Sequence, residues 1–394
     1  MVILLPAPYF AFYRLQFDYQ RLIENTMPNN GNMLTLESIR TALSQIIDPD
    51  LGRDIVALGF VKEIEISGED VQVTIELTTP ACPVKDEMKA KAETYIKELG
   101  AKGVSVNMTA QVVGHSDAKK NAILPGVKNT IAVASGKGGV GKSTVAANLA
   151  AALAAQGSKV GFLDADIYGP SAPLMFGLDG KHPDMYEKPN GDRILVPLVA
   201  HGIKVMSIGF LMDSNQAVIW RGPMAAGALR QFMTDVDWGE LDYLIFDMPP
   251  GTGDIQLTLS QTIPLTGSVI VTTPQELALA DARKGFHMFE RVQVPVFGII
   301  ENMSYFVAPD TGAEYEIFSR GGGAKAATEL GIPFLGEIPL TIETREAGDQ
   351  GMPLTLKHPD SEQAKAFLKV AQNVAARVST RNMTVEQTQP EILL

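Results

Sequence analysis

Two kinds of hydrophobic pattern occur along the chain. Near the start, Val71, Val73, Ile75 and Leu77 alternate with polar residues, which is typical of a strand with one buried face. Further along, apolar residues form short continuous runs, as expected for strands buried on both faces of a parallel sheet. These runs are Thr130–Ala134, Val160–Leu163, Tyr243–Phe246, Val269–Val271 and Val296–Ile300. The change of pattern predicts a small mixed domain followed by a larger α/β domain.

The smaller predicted domain spans residues 34–113 and is of the α+β class. Four apolar residues at helical spacing predict a helix over residues 34–47: Leu36, Ile39, Leu43 and Ile46. The stretch Pro83–Leu99 is rich in lysine, glutamate and alanine, and it predicts a second helix with proline in its first turn. The run Val104–Val113 predicts the strand that closes this domain.

The larger predicted domain spans residues 130–379. Its apolar runs alternate with helical stretches such as Ser143–Ala155 and Leu277–Val292, which predicts a doubly wound, mostly parallel sheet. The stretch Glu362–Val378 carries an apolar stripe beside lysines. We therefore expect a helix that packs on the sheet, and an interfacial membrane helix is the alternative.

Three segments carry neither hydrophobic pattern. Residues 1–33 end in a turn-rich patch and lack the features of a signal peptide, so they predict a disordered extension. Residues 114–129 are polar and contain the pair Pro125-Gly126, which predicts a linker. Residues 380–394 predict a loose tail.

Composition and charge narrow the classes of function. The chain has 394 residues, of which 45% are apolar, and this is enough for more than one buried core. Its 33 basic and 45 acidic residues give a net charge of −12, which argues against a nucleic-acid partner. No apolar run approaches the ~20 residues that span a bilayer, so we expect no membrane partner. The single cysteine, Cys82, excludes an intrachain disulfide and fits a reducing, cytoplasmic setting.

The strongest chemical motif is a glycine-rich loop with the phosphate-loop pattern: glycine, four residues, then Gly-Lys-Ser. It follows an apolar strand and precedes an alanine-rich helix, so backbone N–H groups and a helix N-terminus would surround the phosphates. Lys142 is expected to reach the β and γ phosphates of ATP, and Ser143 to offer its hydroxyl to Mg²⁺. The residues expected to bind ATP here are Gly136, Lys137, Gly138, Gly139, Val140, Gly141, Lys142, Ser143 and Thr144.

Three polar residues near the ends of predicted strands complete the candidate site. Asp166 is a candidate to position the attacking water, or to hold Mg²⁺ through a water. Asp247 ends a later strand, before a loop rich in glycine and proline, and suits a Mg²⁺ ligand that acts through water. Asn302 is a candidate to bind the adenine edge, and a simple turn asparagine is the alternative.

These motifs resemble those of the Mrp/ApbC branch of the MinD-like ATPases, which carry iron–sulfur clusters. The segments that carry the resemblance are Asp164–Ser171, Trp220–Met224, Asp247–Asp254 and Glu301–Tyr305. Lys137, a second lysine in the loop, marks the deviant phosphate loop of this group. The resemblance implies a homodimer in which Lys137 reaches the partner's phosphates, and it makes Lys137, Lys142 and Asp166 the expected catalytic residues. It also implies apo iron–sulfur proteins and cluster-assembly proteins as partners.

The predicted N-terminal domain resembles the PaaD/SufT-like domain that is often joined to such ATPases. The segments Asp48–Gly52 and Leu77–Pro83 carry this resemblance, and the second contains Cys82. Because Cys82 directly precedes a predicted helix start, the helix dipole, with Lys85, is expected to lower its pKa and favour a cluster ligand. A small buried apolar side chain is the alternative.

One departure from the family pattern concerns the iron–sulfur cluster. Many Mrp/ApbC proteins have Cys-x-x-Cys after the Asn-Met-Ser-Tyr segment, whereas Ala308 and Thr311 stand at those positions here. Cys82 is then the one thiolate candidate for a cluster. We expect an ATP-hydrolysing carrier that assists the transfer of clusters to apoproteins. The alternatives are a nucleotide-gated scaffold for cluster-assembly partners without its own cluster, and a MinD/ParA-like positioning ATPase.

Overall fold

The computed structural model describes residues 34–115, 117–211 and 222–388. The predictions for residues 1–33 and 389–394 lie outside these ranges, as do the first two residues of the motif at Trp220–Met224. The described chain forms two compact units. The first unit consists of residues 34–47, 53–75 and 88–107, and the second of residues 48–52, 76–87 and the described residues from 108 onward. Three segments of the predicted small domain, residues 48–52, 76–87 and 108–113, therefore belong to the larger unit.

The N-terminal part of the chain contains a three-stranded sheet and two helices. The strands are, in sheet order, β3 (Val61–Ser67), β4 (Asp70–Leu77) and β5 (Gly103–Ala110). The short strands β1 (Ile47–Asp48) and β2 (Arg53–Asp54) pair with each other, and the helices are α1 (Leu36–Leu43) and α2 (Lys85–Glu98). The alternation predicted for β4 is confirmed, because its four predicted apolar residues are all buried.

The limits predicted for both of these helices are wrong. Helix α1 ends at Leu43 instead of residue 47, and Leu36 is 55% exposed. Ile46 is nevertheless buried, because a turn in which its N–H donates to Leu43 O brings it back to the core. Helix α2 begins at Lys85, so Pro83 precedes the helix and is not in its first turn.

The larger unit is built on a sheet that has nine strands among the described residues. Its order is β10 (Leu198–Ala200), β11 (Ile203–Ser207), β7 (Val160–Asp164), β12 (Leu241–Asp247), β6 (Val127–Ala134), β13 (Gly267–Thr272), β14 (Val296–Val307) and β15 (Glu314–Tyr315). Strand β16 (Phe334–Leu340) pairs with β14, and β8 (Met185–Glu187) and β9 (Arg193–Leu195) form a separate hairpin. The pairs from β11 to β14 are parallel, and β10 and β15 are antiparallel to their neighbours.

Most helices of the larger unit lie between strands along the chain, and three follow the last strand. They are α3 (Ala118–Ile123), α4 (Lys142–Ala155), α5 (Ala172–Met175), α6 (Gly222–Thr234), α7 (Asp254–Thr262), α8 (Glu276–Arg291), α9 (Gly322–Leu330), α10 (Ile342–Asp349), α11 (Leu354–Lys357) and α12 (Glu362–Thr388). Helix α4 contacts the sheet strands and α12, and its alanines are small enough to let both approach closely. The predicted α/β class with a mostly parallel sheet is confirmed. No helix among the described residues is long and apolar enough to cross a membrane.

Regular structure extends into two segments for which none was predicted. The predicted linker contains α3, and β6 begins at Val127 instead of Thr130. Lys120 of α3 is buried, and its ammonium donates to the backbone oxygens of His115 and Lys128. Burial lowers the pKa of Lys120 to about 8. These hydrogen bonds satisfy the buried ammonium and hold the segment in place. Local hydrophobic periodicity does not predict such contacts.

The predicted loose tail is also wrong over residues 380–388, which continue α12. Asn382 is 2% exposed, and its Nδ2 donates to Val113 O and to Asn129 Oδ1, both at 2.9 Å. Asn129 in turn donates to the same Val113 oxygen at 3.0 Å. The Asn382 side chain thus joins the last part of α12 to the start of β6, and the helix continues beyond it to Thr388.

Replacing Asn382 with Ala should destabilise the larger unit. The variant Asn382→Ala leaves Asn129 Oδ1 buried without this donor, which should lower the free energy of unfolding by about 1–3 kcal/mol. Urea unfolding followed by circular dichroism measures the change as a lower midpoint. Gln372→Ala, at a partly exposed position of the same helix, should leave the midpoint nearly unchanged. Equal midpoints for the wild type and Asn382→Ala would contradict this role of Asn382.

Candidate nucleotide-binding site

The glycine-rich loop joins β6 to α4 at the centre of the sheet. Gly139 and Gly141 have φ values of 81° and 78°, in the left-handed region that favours glycine. A Cβ on Gly136 would collide with the backbone carbonyl of Asp281, and a Cβ on Gly141 would collide with the Asn302 amide. The glycines at these positions are therefore required by backbone conformation or by close packing, and not only by loop flexibility.

Two aspartates lie side by side where neighbouring parallel strands end. Asp164 ends β7 and Asp247 ends β12, and the two residues are paired in the register of the sheet. Both are almost completely buried, as is Lys142, the first residue of α4. The Lys142 ammonium lies 2.5 Å from Asp247 Oδ1 and 3.1 Å from Ser143 Oγ. One buried ammonium therefore faces two buried carboxylates.

The structure gives Asp164 a role that the sequence analysis did not assign. Its Oδ2 accepts hydrogen bonds from the backbone N–H groups of Ser171 and Ala172 at 2.9 and 3.0 Å, and from the Ser207 hydroxyl at 3.1 Å. Its Oδ1 accepts from the Asp166 N–H at 3.1 Å. Asp164 therefore fixes the loop that carries Asp166. The position of Asp164 at the end of an apolar run could have marked it as a site residue. Its hydrogen-bond partners, however, are set by the tertiary structure.

The pKa values of Asp164 and Asp166 are both raised, with burial as the largest cause. Burial raises the pKa of Asp164, and the neighbouring Asp247 raises it further. Burial also raises the pKa of Asp166, and the Lys142 ammonium opposes that increase. Asp166 is 9% exposed, and within the described part of the chain it accepts long backbone hydrogen bonds at 3.3 and 3.4 Å. It is therefore less tightly held than Asp164, and its role in positioning water stays a prediction.

The loop and its carboxylates fit a nucleotide with Mg²⁺. Oδ2 of Asp247 is buried and has no hydrogen-bond partner in the part of the chain that the structure describes. Open space lies where Cβ atoms on Gly138 and Gly139 would be, so phosphates can approach the backbone there. Among the described residues, no group of three or more His, Cys, Asp and Glu side chains is placed to hold a metal ion. A Mg²⁺ ion held by Ser143, and by Asp247 through water, would therefore need phosphate oxygens as further ligands.

Lys137 differs from Lys142 in its surroundings. Its side chain is partly exposed, and its ammonium has no hydrogen-bond or ion-pair partner among the residues described. Its backbone oxygen accepts a hydrogen bond from the Ser135 hydroxyl at 2.9 Å, so the backbone at this position is held. Lys137 therefore combines a fixed backbone with an ammonium that is free to meet an external anion.

Asn302 lies against the phosphate loop. It is 6% exposed, and its Nδ2 donates to Val140 O at 2.8 Å. Met303, the next residue, has a φ of 56°, and its methyl group lies 3.3 Å from where a Cβ on Gly141 would be. The structure thus brings Asn302 to the candidate site as predicted from its place on β14, and the contact it shows is with the loop backbone. Its role in binding adenine stays a prediction.

The loop that follows Asp247 is also fixed to the phosphate loop. The N–H of Met248 donates to Val133 O at 3.0 Å, and the N–H of Gly251 donates to Ser135 O at 2.9 Å. Gly251 has a φ of 104°, which only glycine adopts readily. Any change in the phosphate loop at Ser135 therefore reaches the segment between Asp247 and α7 through one hydrogen bond.

Cys82 lies in a segment of the larger unit that is attached to the core. Ala81 is completely buried in the hydrophobic core of that unit. The Thr79 hydroxyl lies 3.3 Å from the Tyr243 hydroxyl on β12, and both residues are buried. Cys82 itself is half-buried. The segment is therefore held from β12, the strand that ends in Asp247.

The prediction that the pKa of Cys82 is lowered is wrong. Burial raises the pKa of the Cys82 thiol to about 11, although a hydrogen bond from the Val84 backbone acts in the other direction. The carboxylates of Asp48 and Asp50 raise it further, and Lys85 only partly opposes them. Desolvation and two nearby negative charges thus outweigh the helix start that the sequence indicates.

Two family models match the chain. The model described as the NUBPL iron-transfer P-loop NTPase matches residues 126–375, and the model described as an iron-sulfur cluster assembly protein matches residues 36–108. An iron-sulfur cluster carrier protein of Synechocystis is 49% identical, covering 88% of this chain and 99% of the relative. The protein of the same name from Escherichia coli is 42% identical, covering 85% and 90%.

One solved structure supports the fold of the larger unit. It is a nucleotide-binding protein from Archaeoglobus fulgidus in complex with ADP. It is 41% identical to this chain, with a TM-score of 0.54, and the match covers 64% of this chain and 97% of that one.

The raised pKa of Cys82 predicts slow alkylation. At pH 8 a pKa of about 11 instead of 9.0 gives about 100-fold less thiolate, which is the reactive form. The rate of reaction with iodoacetamide should therefore be low at pH 8 in the folded protein and should rise until the pH approaches 11. Mass spectrometry measures it without background, because the chain has one cysteine. The chain unfolded in urea is the control and should react with an ordinary thiol profile; a folded-state midpoint at or below that of the unfolded chain would contradict the assignment.

Proposed function

We propose, from the premise that this chain belongs to the family of NUBPL iron-transfer P-loop NTPases, that it hydrolyses ATP in order to carry an iron–sulfur cluster to apoproteins. Relatives that match nearly their whole length to this chain are named iron-sulfur cluster carrier proteins. The cluster is the cargo in this proposal, and ATP is the substrate that is consumed.

The observation that carries the proposal is the buried Lys142–Asp247 pair below an open glycine loop. Burying an ammonium and a carboxylate costs desolvation energy, and this pair lies at the start of α4, where a helix N-terminus favours phosphates. When phosphates enter the loop, Lys142 can turn from Asp247 towards them and still meet a negative charge. Asp247 is then free to hold a water of the Mg²⁺ shell.

Hydrolysis breaks the bond from the γ-phosphorus to the bridging oxygen and forms a bond to the oxygen of water. Bound Mg²⁺ would neutralise charge on the phosphate oxygens. Lys142 adds positive charge near the β and γ phosphates, and Ser143 supplies a hydroxyl ligand. In this proposal Asp166 orients the attacking water, and its support is that Asp166 interacts electrostatically with Lys142 and accepts longer hydrogen bonds than Asp164 does. Chemistry of this kind depends on position and charge, which these buried groups supply.

We extend the proposal to a homodimer. The support is that the Lys137 ammonium is without a partner among the described residues, while its backbone is fixed beside Ser135. A second copy of the chain would bring its own phosphates to this ammonium. Positive charge added across the interface would then stabilise the transition state only in the dimer.

Substitutions of the two lysines of the loop should affect different steps, nucleotide binding for Lys142 and ATP turnover for Lys137. Lys142→Ala should weaken MgADP binding by at least about 100-fold, because it removes a charge that is buried against the phosphates. Lys137→Ala should leave MgADP binding within about threefold of wild type but lower the ATP turnover rate by about 10²–10³-fold. Calorimetry measures binding and phosphate release measures turnover, with exposed Lys181→Ala as the matched control. Unchanged turnover in Lys137→Ala would contradict the role across the dimer, and unchanged binding in Lys142→Ala would contradict the nucleotide site.

The thiols available to a cluster differ from the pattern of the family. Ala308 stands where many of these proteins have a cysteine, and it is 8% exposed, with its N–H bonded to Ala313 O. Cys82 is therefore the one thiol that a cluster can use, and one thiol from each copy of a dimer would leave two ligands to be supplied by a small thiol or by a partner protein. Its raised pKa means that a bound iron must displace the proton, which makes loading more favourable as the pH rises.

Reconstitution with iron and sulfide tests the carrier. The wild type, treated anaerobically in the presence of glutathione, should gain visible charge-transfer absorption and should activate an apo iron–sulfur protein. Cys82→Ala should lose both properties, whereas Lys181→Ala should retain them. The wild type should also load better at pH 8.5 than at pH 7, because a larger fraction of Cys82 is then deprotonated.

A second candidate is a nucleotide-gated scaffold that binds cluster-assembly partners. It is favoured by the buried alanine at position 308 and by the lack, among the residues described, of a group of side chains able to hold a metal. If the wild type stays colourless after reconstitution and transfers nothing, the scaffold replaces the carrier. The nucleotide site is common to both candidates.

A further inference from the structure

Strand β14 is interrupted at the point where it meets the phosphate loop. Met303 has a φ of 56°, and the register between β14 and β16 shifts between Asn302 and Phe306. A non-glycine residue in the left-handed region costs about 1–3 kcal/mol and persists only where its surroundings hold it. The contacts of Glu301–Ser304 show what holds it here.

The middle of this segment touches the phosphate loop. Asn302 donates to Val140 O, between two glycines that both have positive φ, and the Met303 methyl group lies beside Gly141. A backbone change at Val140 would therefore alter the hydrogen bond of Asn302, and a change at Gly141 would alter the packing of the Met303 methyl group. The positions of the Asn302 and Met303 side chains therefore depend on the conformation of the phosphate loop.

The first residue of the segment controls the start of α9. Glu301 is completely buried, and its carboxylate accepts from the backbone N–H groups of Gly321 and Gly323 at 2.9 and 2.5 Å. It also accepts from the Ser304 hydroxyl at 2.5 Å. A negative charge at the N-terminus of a helix is favourable, so Glu301 fixes both α9 and the residue before Gly321, which is Arg320.

The last residue of the segment joins a second carboxylate. The Ser304 hydroxyl also lies 3.2 Å from Glu337 Oε2 on β16. Arg320 binds Glu337 with two nitrogens, which lowers the pKa of Glu337 and holds it ionised. Ser304 thus lies between Glu301, which caps α9, and the Arg320–Glu337 pair.

Arg320 also contacts the hairpin formed by β14 and β15. Its Nη1 donates to Glu314 Oε2 at 2.7 Å, and its guanidinium lies 4.1 Å from the centre of the Tyr305 ring. Tyr305 and Glu314 line a groove of about 740 Å³, together with Val307 and Pro309 from the same hairpin. The planar guanidinium can make these contacts together, whereas a lysine ammonium cannot.

We propose that Glu301–Ser304 and Arg320 form a relay through which the state of the phosphate loop sets the conformation of residues 305–315 and the width of their groove. The inference rests on the nucleotide binding proposed above and adds the route by which it reaches a surface of the molecule. The phosphate loop contacts Asn302, and Ser304 of the same segment contacts Glu301 and Glu337. Glu337 binds Arg320, which in turn contacts Glu314 and Tyr305. Coupling of this kind is reciprocal, so a partner seated in the groove would change nucleotide affinity by the same factor.

Hydrogen exchange of the full chain tests the relay. Amides of residues 305–315 should exchange at rates that differ at least about threefold between the nucleotide-free protein and the protein with MgADP or a non-hydrolysable MgATP analogue. Ser304→Ala and Arg320→Lys should remove this difference, while residues 135–145 should still be protected by nucleotide. Ser304→Ala removes one hydroxyl and Arg320→Lys keeps the charge, so loss of fold is not the expected cause; circular dichroism checks this.

Arg345→Lys is the matched control. Arg345 forms only surface ion pairs with Glu346 and Asp349 on α10, so this variant should behave as the wild type does. Equal exchange of residues 305–315 in all nucleotide states of the wild type, with residues 135–145 protected, overturns the relay and leaves the nucleotide site intact. A hairpin difference that persists in both relay variants also overturns it. If residues 135–145 gain no protection in the wild type, the proposed function fails, and the relay fails with it.

Discussion

A buried imbalance of charge lies at the centre of this molecule. Asp164, Asp166 and Asp247 are each at most 9% exposed, and the one ammonium buried among them is that of Lys142. Negative charge removed from water is stable only where positive charge or hydrogen-bond donors meet it. Backbone N–H groups satisfy Asp164, whereas one oxygen of Asp247 has no hydrogen-bond partner among the described residues. The negative charge of these carboxylates therefore favours the binding of a divalent cation together with phosphates.

The surrounding architecture keeps these groups in place with small side chains and glycines. The alanines of α4 let this helix lie close to both the sheet and α12, and Gly136 lets the loop pass against the backbone of α8. Larger side chains at these positions would move the loop away from the carboxylates. Close packing, and not a large number of polar contacts, thus sets the distance between Lys142 and Asp247.

The segment that carries Cys82 shares the strand that ends in Asp247. Thr79 meets Tyr243 near the start of β12, and Ala81 is part of the same core. Cys82 is consequently part of the larger unit in packing, although its sequence motif resembles that of a separate domain. Its surroundings favour the protonated thiol, because burial and the carboxylates of Asp48 and Asp50 raise its pKa.

The sequence by itself determined the α/β class and the phosphate loop with Lys142, because periodicity and glycine spacing are local properties. It also indicated that Asp247 ends a strand and that Asp166 closely follows one, whereas Asn302, expected after a strand that ends at Ile300, lies within β14. Only the tertiary structure decided that Asp164 stands in register with Asp247, that Asn382 of α12 bonds to Asn129, and that burial raises the pKa of Cys82. These three depend on residues far apart in the chain. A pattern along the sequence reports which side chains are buried, but the charge or hydrogen-bond partner of a buried group is set by strand register and by the packing of distant segments.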